Sequence, residues 1–476
     1  MSAPTTGPSP LAPAWLEYPE DPNALFPQLW ASGVQRNDDG QIAVQGLGVS
    51  QLARDHGTPL LVLDEDDFRG RARAFRDAFD DAFADLCGGV DVYYAGKSFL
   101  CTAAARWVAE EGLRLDTASG GELAAALRAG VEPAHIGLHG NNKSDAEMRR
   151  ALQAGVGRIV VDSLDELDRL TELAAEAGAV APVMLRLTPG VHAHTHEFIA
   201  TAHEDQKFGL SMAGGLASQA GAAVARALAA ESVDLRGLHC HIGSQIFEAE
   251  GFGVAAEKLL GFLAEISAEH GVELEELDLG GGHGIAYTPA DTPRTPADIA
   301  TTLAGVVRAA CTKLGIRCPR ISIEPGRAIS GPAGFTLYEA GVRKTVTVDG
   351  ADGTTHPRRY VSVDGGMSDN PRPVLYEADY SVALASRTSE AGAVLSRVVG
   401  KHCESGDLVV KDAYLPEDVG RGDLLAVPAT GAYCHSLSSN YNMLTRPAVV
   451  AVRDGRARVI IRRETEDDLF ARETGL

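Results

Sequence analysis

Between about residues 90 and 330 the chain repeats one unit eight times. A short apolar run ends on glycine or a polar residue, and a longer Ala/Leu/Glu-rich stretch with helical spacing follows. The runs are Val92–Lys97, Leu113–Ser119, Ile136–Asn141, Arg158–Ser163, Val183–Pro189, Leu235–Ser244, Leu274–Gly282 and Ile321–Arg327. Stretches such as Gly121–Ala129 and Ser163–Ala177 lie between them, with acids near their starts. Strands alternating with helices require right-handed βαβ crossovers and a parallel sheet. Eight such units over about 250 residues fit a closed (β/α)8 barrel. A doubly wound open sheet is the competing arrangement, but it usually has fewer strands, and no G-x-G-x-x-G follows the first run.

Beyond residue 330 the texture changes to short runs of valine, threonine, aspartate and glycine: Val342–Val348, Arg359–Val363, Ala393–Val399, Asp407–Val410, Leu424–Pro428, Ala448–Val452 and Arg456–Ile461. These predict an antiparallel β-sandwich or barrel. Gln41–Leu47 and Pro59–Asp64 read as strands that join this later sheet, so the chain would leave that domain and return to it. The expected division is a disordered or irregular leader over 1–35, strands of the β domain over 36–64, the barrel over 65–330 and the β domain over 331–476.

The formal net charge of −22 over 476 residues argues against nucleic acid or an anionic membrane as partner. No apolar run approaches the roughly 18–20 residues that span a bilayer. The N-terminus lacks a basic segment followed by an apolar one, so a cytoplasmic location is expected. The seven cysteines form no C-x-x-C pair, which suggests neither a disulfide framework nor a zinc site.

In a barrel, catalytic groups come from the C-terminal ends of strands. Here those ends carry Lys97, then Asp116 with Ser119-Gly120-Gly121-Glu122, His139-Gly140-Asn141-Asn142, Arg186, His239-Cys240-His241-Ile242-Gly243-Ser244, Gly280-Gly281-Gly282-His283-Gly284 and Glu324-Pro325-Gly326-Arg327. A lysine directly after an apolar strand suits a Schiff base, the linkage that anchors pyridoxal phosphate. The glycine run lets backbone N–H groups approach a phosphate, to which Ser244 adds a hydroxyl. His241 can stack on a planar ring, and Glu324 can keep a pyridine nitrogen protonated and so strengthen it as an electron sink. Arg327 suits a phosphate or carboxylate. His192, His194 and His196 alternate within a stretch, Thr188–Lys207, that reads as a lid. Nothing completes a ligand set around them, so no metal is expected.

Taken in order, these residues resemble the alanine-racemase-like, fold-type III pyridoxal-phosphate decarboxylases, and within them the diaminopimelate decarboxylases. The resemblance runs from about residue 40 to 465. Its motifs are Tyr94-Ala95-Gly96-Lys97, Asp116–Leu123, Lys207-Phe208-Gly209, His239–Gln245, Gly280-Gly281-Gly282, Glu324-Pro325-Gly326-Arg327, Arg372-Pro373-Val374-Leu375-Tyr376, Cys403-Glu404-Ser405-Gly406-Asp407 and Gly431-Ala432-Tyr433. Lys401 stands where relatives commonly carry proline.

The resemblance implies roles. Lys97 is the Schiff-base lysine, His241 stacks on the ring and Glu324 holds its nitrogen. Gly281, Gly282, Ser244, Arg327 and Tyr433 serve the phosphate end. Arg327, Arg372 and Tyr376 grip the distal carboxylate of the substrate, and Tyr433 also lies near it. Glu404 binds the distal ammonium and Cys403 donates a proton, both from the second subunit of a homodimer with shared active sites. The implied reaction converts meso-2,6-diaminopimelate to L-lysine and CO2. A diamino-dicarboxylate needs both an anion and a cation away from the cofactor, which Glu404 and Arg372 supply. A decarboxylase of ornithine or arginine would need only acids there, and Arg372-Pro373-x-Leu375-Tyr376 with Cys403-Glu404-Ser405 speaks against these and against a carboxynorspermidine decarboxylase. A racemase would place arginine at the ring nitrogen, and a non-catalytic homologue usually loses the lysine or the cysteine.

Overall fold

A computed structural model describes residues 6–190, 206–248, 250–350 and 353–475. The chain divides into two compact units, one of residues 69–284 and 293–328, the other of residues 1–68, 285–292 and 329–476.

The first unit is the barrel. Val90–Ala95, Arg114–Thr117, Ile136–Leu138, Arg158–Val161, Ala181–Thr188, Val233–His239, Glu276–Asp278 and Arg320–Ile323 pair in parallel, each with its neighbours. Arg320–Ile323 also pairs with Val90–Ala95, which closes the ring at eight strands. A two-residue strand, Leu210–Ser211, adds to the side of Ala181–Thr188. Serine or threonine starts most of the intervening helices. Ser119, Ser144, Ser163, Ser218 and Thr295 each accept the N–H three residues on, and Ser144 with Glu147 completes a capping box. Each such cap contributes about 1 kcal/mol and fixes where a strand-end loop stops. Those loops build the C-terminal end of the barrel.

The second unit centres on a sheet in the order Leu408–Pro416, Ala393–Val399, Thr355–Val363, Gly334–Asp349, Leu60–Asp64, Ala448–Arg453 and Arg456–Ile461, with Leu424–Pro428 also on Gly334–Asp349. Leu60–Asp64 joins this sheet, as the sequence suggests. The sheet is mixed rather than wholly antiparallel. Leu60–Asp64 runs parallel to Ala448–Arg453, and Thr355–Val363 parallel to Ala393–Val399. Neither pair is joined by a hairpin, and only a tight hairpin obliges neighbours to be antiparallel.

Gln41–Leu47 does not join that sheet, contrary to the expectation above. Ile42–Val44 instead pairs with Val34–Arg36 and with Leu47–Gly48 in a three-stranded sheet of its own. Gln45 and Gly46 both take positive φ, 48° and 80°, and form a two-residue hairpin turn that gives Val44 a local partner. Ile42 and Val44 still bury their side chains in one core with Leu60, Val62, Phe335, Leu337 and Val450. The leader is irregular but not disordered over its described residues: Leu29 and Trp30 belong to the same core, and the Tyr18 ring meets Tyr414 edge-on at 5.1 Å.

Candidate active site

At the C-terminal end of the barrel a cavity of about 120 Å³ is lined by Lys97, Asp116, Glu122, His139, Arg186, Phe208, His239, His241 and Glu324 among others. Lys97 sits in the single 3-10 turn Gly96–Ser98 that ends the first strand, and its side chain is exposed. Glu324 follows the last strand directly and is buried. Because these two strands are neighbours, the fold sets an amine and an acid on one pocket.

Glu324 stands in a buried electrostatic network. Its Oε1 lies 2.9 Å from His239 Nε2 and 3.5 Å from both His139 Nε2 and an Arg158 nitrogen. Burial, with Asp278 and Asp116 nearby, pushes the Glu324 carboxyl up to about 8, against the opposing pull of His139 and Arg158. Asp116 goes the other way. Burial would raise it, but His139 at 2.9 Å and Arg158 at 3.3 Å hold it well below the usual carboxylate range. Burial holds His239 down to about 3, so it is neutral. Two carboxyl groups in one pocket are thus driven apart, one toward the acid and one toward the anion.

Arg158 is the counterion beneath them. Fully buried, it donates to Asp278 at 2.7 Å and to Ser322 Oγ at 3.1 Å, with the Tyr93 ring centroid 3.4 Å from its guanidinium carbon. The motifs do not include Arg158 or Asp278. The available signal is a charge opening an otherwise apolar strand, Arg158-Ile159-Val160-Val161, where an interior position is due. Lys143, equally buried, donates to Gly140 O and Val160 O at 2.7 and 2.6 Å and pairs with Glu166 behind the pocket wall. Arg186 lies with its guanidinium carbon 4.2 Å from the Phe208 ring centroid.

The glycine run packs on this floor. Gly281 N–H donates to His241 Nδ1 at 3.3 Å. A Cβ on Gly281 would come within 2.0 Å of Glu324 O, and one on Gly282, at φ +112°, within 2.2 Å of Gly243 O. Only glycine allows so close a backbone approach. Beside it Arg327 donates to Ser244 Oγ at 2.8 Å. Burial, then the charges of Lys97 and Arg186, keep His241 neutral.

Of the sequence-derived site residues, Lys97, His241 and Glu324 line one cavity, and Gly281, Gly282, Ser244 and Arg327 belong to the same unit. His139, His239 and Glu324 also bring three ligand-type atoms within 4.8 Å, a group the sequence did not suggest. Arg372, Tyr376, Cys403, Glu404 and Tyr433 belong to the other unit. There Arg372 is buried, donates to Tyr380 Oη at 2.6 Å and packs against the Tyr287 and Tyr380 rings, which meet each other edge-on, 4.3 and 5.3 Å from their centroids. Burial opposes its charge, but Tyr287, Tyr380 and Cys434, with the Tyr380 hydrogen bond, together outweigh it and keep the guanidinium protonated. Tyr433 takes φ +59°. Tyr376, Cys403 and Glu404 are exposed on their own chain, with Cys403 N–H donating to Asn442 Oδ1 at 3.1 Å. His192, His194, His196 and most of the stretch Thr188–Lys207, expected to be a lid, lie outside the described residues.

The family described as pyridoxal-dependent decarboxylase, pyridoxal binding domain, matches residues 66–331. A diaminopimelate decarboxylase of Mycobacterium tuberculosis H37Rv is 53% identical over 94% of this chain and 98% of that protein. One of Bacillus subtilis is 43% identical over 91% of this chain and 95% of that protein. The crystal structure of a diaminopimelate decarboxylase from M. jannaschii aligns with a TM-score of 0.85 at 32% identity, covering 93% of this chain and 98% of that one. The chain belongs to the diaminopimelate decarboxylase family of pyridoxal-dependent decarboxylases.

Proposed function

We propose that this chain decarboxylates meso-2,6-diaminopimelate to L-lysine and CO2, the last step of lysine biosynthesis, using pyridoxal 5′-phosphate. The observation that carries this reading is the convergence of Lys97, His241 and Glu324 on one barrel cavity, in a chain 53% identical to a diaminopimelate decarboxylase. A related solved enzyme of that name, from M. jannaschii, is in complex with L-lysine, the expected product.

The residues present fit the cofactor. A primary amine stands at the cavity for its aldehyde and a buried acid for its ring nitrogen. The glycine run, pressed against the Glu324 and Gly243 carbonyls where no Cβ fits, has Ser244 and Arg327 alongside and would suit its phosphate. Asp116 Oδ2, on the cavity, is buried without a hydrogen-bond partner among the described residues, as expected of a group that meets a ligand. Lys97 would hold the cofactor covalently, His241 would lie on its ring, and Gly281, Gly282, Ser244, Arg327 and Tyr433 would hold its phosphate end.

When bound, pyridoxal phosphate supplies an electron sink for the pair left on the α-carbon as CO2 departs. The protein does the rest. Glu324, with its carboxyl raised to about 8, retains a proton at neutral pH that it can share with a ring nitrogen. Neutral His239 and anionic Asp116 keep that proton from leaving to the network beneath. Lys97 would present the amine that holds the cofactor when no substrate is bound. Cys403 delivers a proton to the α-carbon. Arg372, pre-oriented by its two tyrosines, and Tyr376 grip the distal carboxylate with Arg327, while Tyr433 lies nearby and Glu404 takes the distal ammonium.

Cys403 and Glu404 are exposed on their own chain, where a proton donor exchanges freely with water. We therefore take the working form to be a cytoplasmic homodimer in which each subunit's Cys403 and Glu404 serve the other's Lys97. No helix among the described residues is long and apolar enough to cross a membrane.

The test is CO2 release from meso-diaminopimelate beside ornithine and arginine, with lysine quantified. Release of CO2 with stoichiometric lysine from the first substrate alone supports the reading. Release from ornithine or arginine but not from diaminopimelate overturns it.

A further inference from the structure

The end of the barrel away from the cavity carries three thiols that the decarboxylation does not use. Cys87 ends the helix Glu65–Cys87, Cys311 lies on the helix Pro296–Leu314, and Cys318 precedes the strand Arg320–Ile323. Their proximity follows from the barrel's closure. Val90 and Ile321 are paired across the first and last strands, and Cys87 and Cys318 each stand three positions ahead of those partners, so parallel strands bring them in side by side. The Cys318 thiol interacts with both Cys87 and Cys311. Arg320 ties the two turns together, donating to Gly88 O at 2.8 Å and to Asp91 Oδ1 at 2.8 Å. Cys87 and Cys318 are half-buried, whereas Cys311 is buried.

We propose that Cys87 and Cys318 form a hydroperoxide-sensitive dithiol at the amino-terminal face of the barrel, with Cys311 seated against Cys318. Reactivity requires thiolate character and access. Cys87 has both: the Cys318 thiol outweighs burial and, with the Arg320 charge, holds Cys87 down to about 7. Cys240 is the contrast, since burial pushes it beyond the titratable range of a useful nucleophile.

The step balances as follows. The Cys87 thiolate attacks one oxygen of a hydroperoxide, an S–O bond forms as the O–O bond breaks, and the leaving oxygen takes a proton as water or alcohol. The Cys318 sulfur then attacks Cys87, the S–S bond forms, and the S–O bond breaks with loss of water. Two thiols are oxidised by two electrons and the peroxide is reduced by two. The resulting disulfide staples the turns that feed the first and last strands, whose far ends carry Lys97 and Glu324.

The experiment treats reduced holoenzyme with one equivalent of hydrogen peroxide, alkylates the remaining thiols, and maps the linked peptides by mass spectrometry. The expected result is loss of two hydrogens, with the Cys87–Cys318 linkage at least about tenfold more abundant than any other cysteine pair. In Cys318→Ser that linkage disappears and Cys87 is trapped by a sulfenic-acid reagent. If the variant does not fold, the wild-type peptide map decides alone. Cys87 and Cys318 both recovered as free thiols while Cys403 is oxidised, or a dominant Cys311–Cys318 linkage, overturns the proposal.

Discussion

The two sets of residues assigned to this reaction differ in how far one chain completes them. In the barrel, Glu324, Asp116, His239, His139, Arg158 and Asp278 are held by one another, mostly buried and at hydrogen-bond or ion-pair range. In the β unit, Arg372 is equally well held, packed against Tyr287 and Tyr380 and bonded to the latter, but Cys403 and Glu404 stand exposed. Electrostatic groups that tune a cofactor must be fixed before it binds, because their effect depends on low dielectric and on absent reorganisation. Groups that read one substrate and hand it a proton need only be in place once that substrate is bound. A chain can therefore finish the first set alone and leave the second to a partner.

The largest expected effect breaks the barrel half. Lys97→Ala should lower CO2 release by at least about 10³-fold, and borohydride should no longer fix a cofactor mass to the protein. Activity within tenfold of wild type would remove Lys97 from the role assigned to it. Glu324→Gln comes next. It keeps the shape but removes the titrating proton, and turnover should fall about 10²- to 10³-fold with cofactor still bound. An unchanged rate would mean that the buried network serves folding alone.

Arg372→Ala tests the β half. It should raise KM for diaminopimelate about 10²-fold, with a smaller change in kcat, and Arg372→Lys should restore little because a lysine cannot form the planar two-pronged contact. A fall in kcat with KM unchanged would place Arg372 outside substrate recognition.

The smallest effect concerns stability. His283, behind the glycine run, packs between Phe75 and Phe252 with ring centroids at 5.3 and 5.1 Å, and neither ring nitrogen has a hydrogen-bond partner among the described residues. Burial holds it down to about 4, below the value of about 6.5 in an unfolded chain. Between these values the unfolded state binds the extra proton. The contribution of a neutral His283 is thus fully present above about pH 6.5 and is lost as pH falls toward 4, by at most about 3 kcal/mol. His283→Phe should flatten that acid limb in denaturant titrations at pH 7 and pH 4.5. An equal loss in both proteins would assign the acid sensitivity to other groups.

Much of this was legible before the structure. The strand ends point to Lys97, His241 and Glu324 because a barrel forces chemistry to one end of its strands, and these three line one cavity; the β-unit residues rest on the resemblance alone. What stayed hidden is non-local. Arg158 and Asp278 meet only through barrel closure and interior register, which no local motif records. The pairing of Ile42–Val44 with its own neighbours turned on two positive-φ residues, Gln45 and Gly46. The parallel seating of Leu60–Asp64 on Ala448–Arg453 joins segments from opposite ends of the chain. The membership of Ile285–Thr292 in the β unit is equally a matter of tertiary contact.

In the proposed homodimer a finished barrel site in one subunit works with an exposed cysteine and glutamate from another. Mixing Lys97→Ala protein with Cys403→Ala protein under conditions of free subunit exchange tests it most directly. Each variant alone should be inactive, and the mixture should recover up to about a quarter of wild-type activity from the hybrid dimers that hold one intact site. No recovery, with hybrid formation verified by native mass spectrometry, would contradict sharing of the active site between subunits.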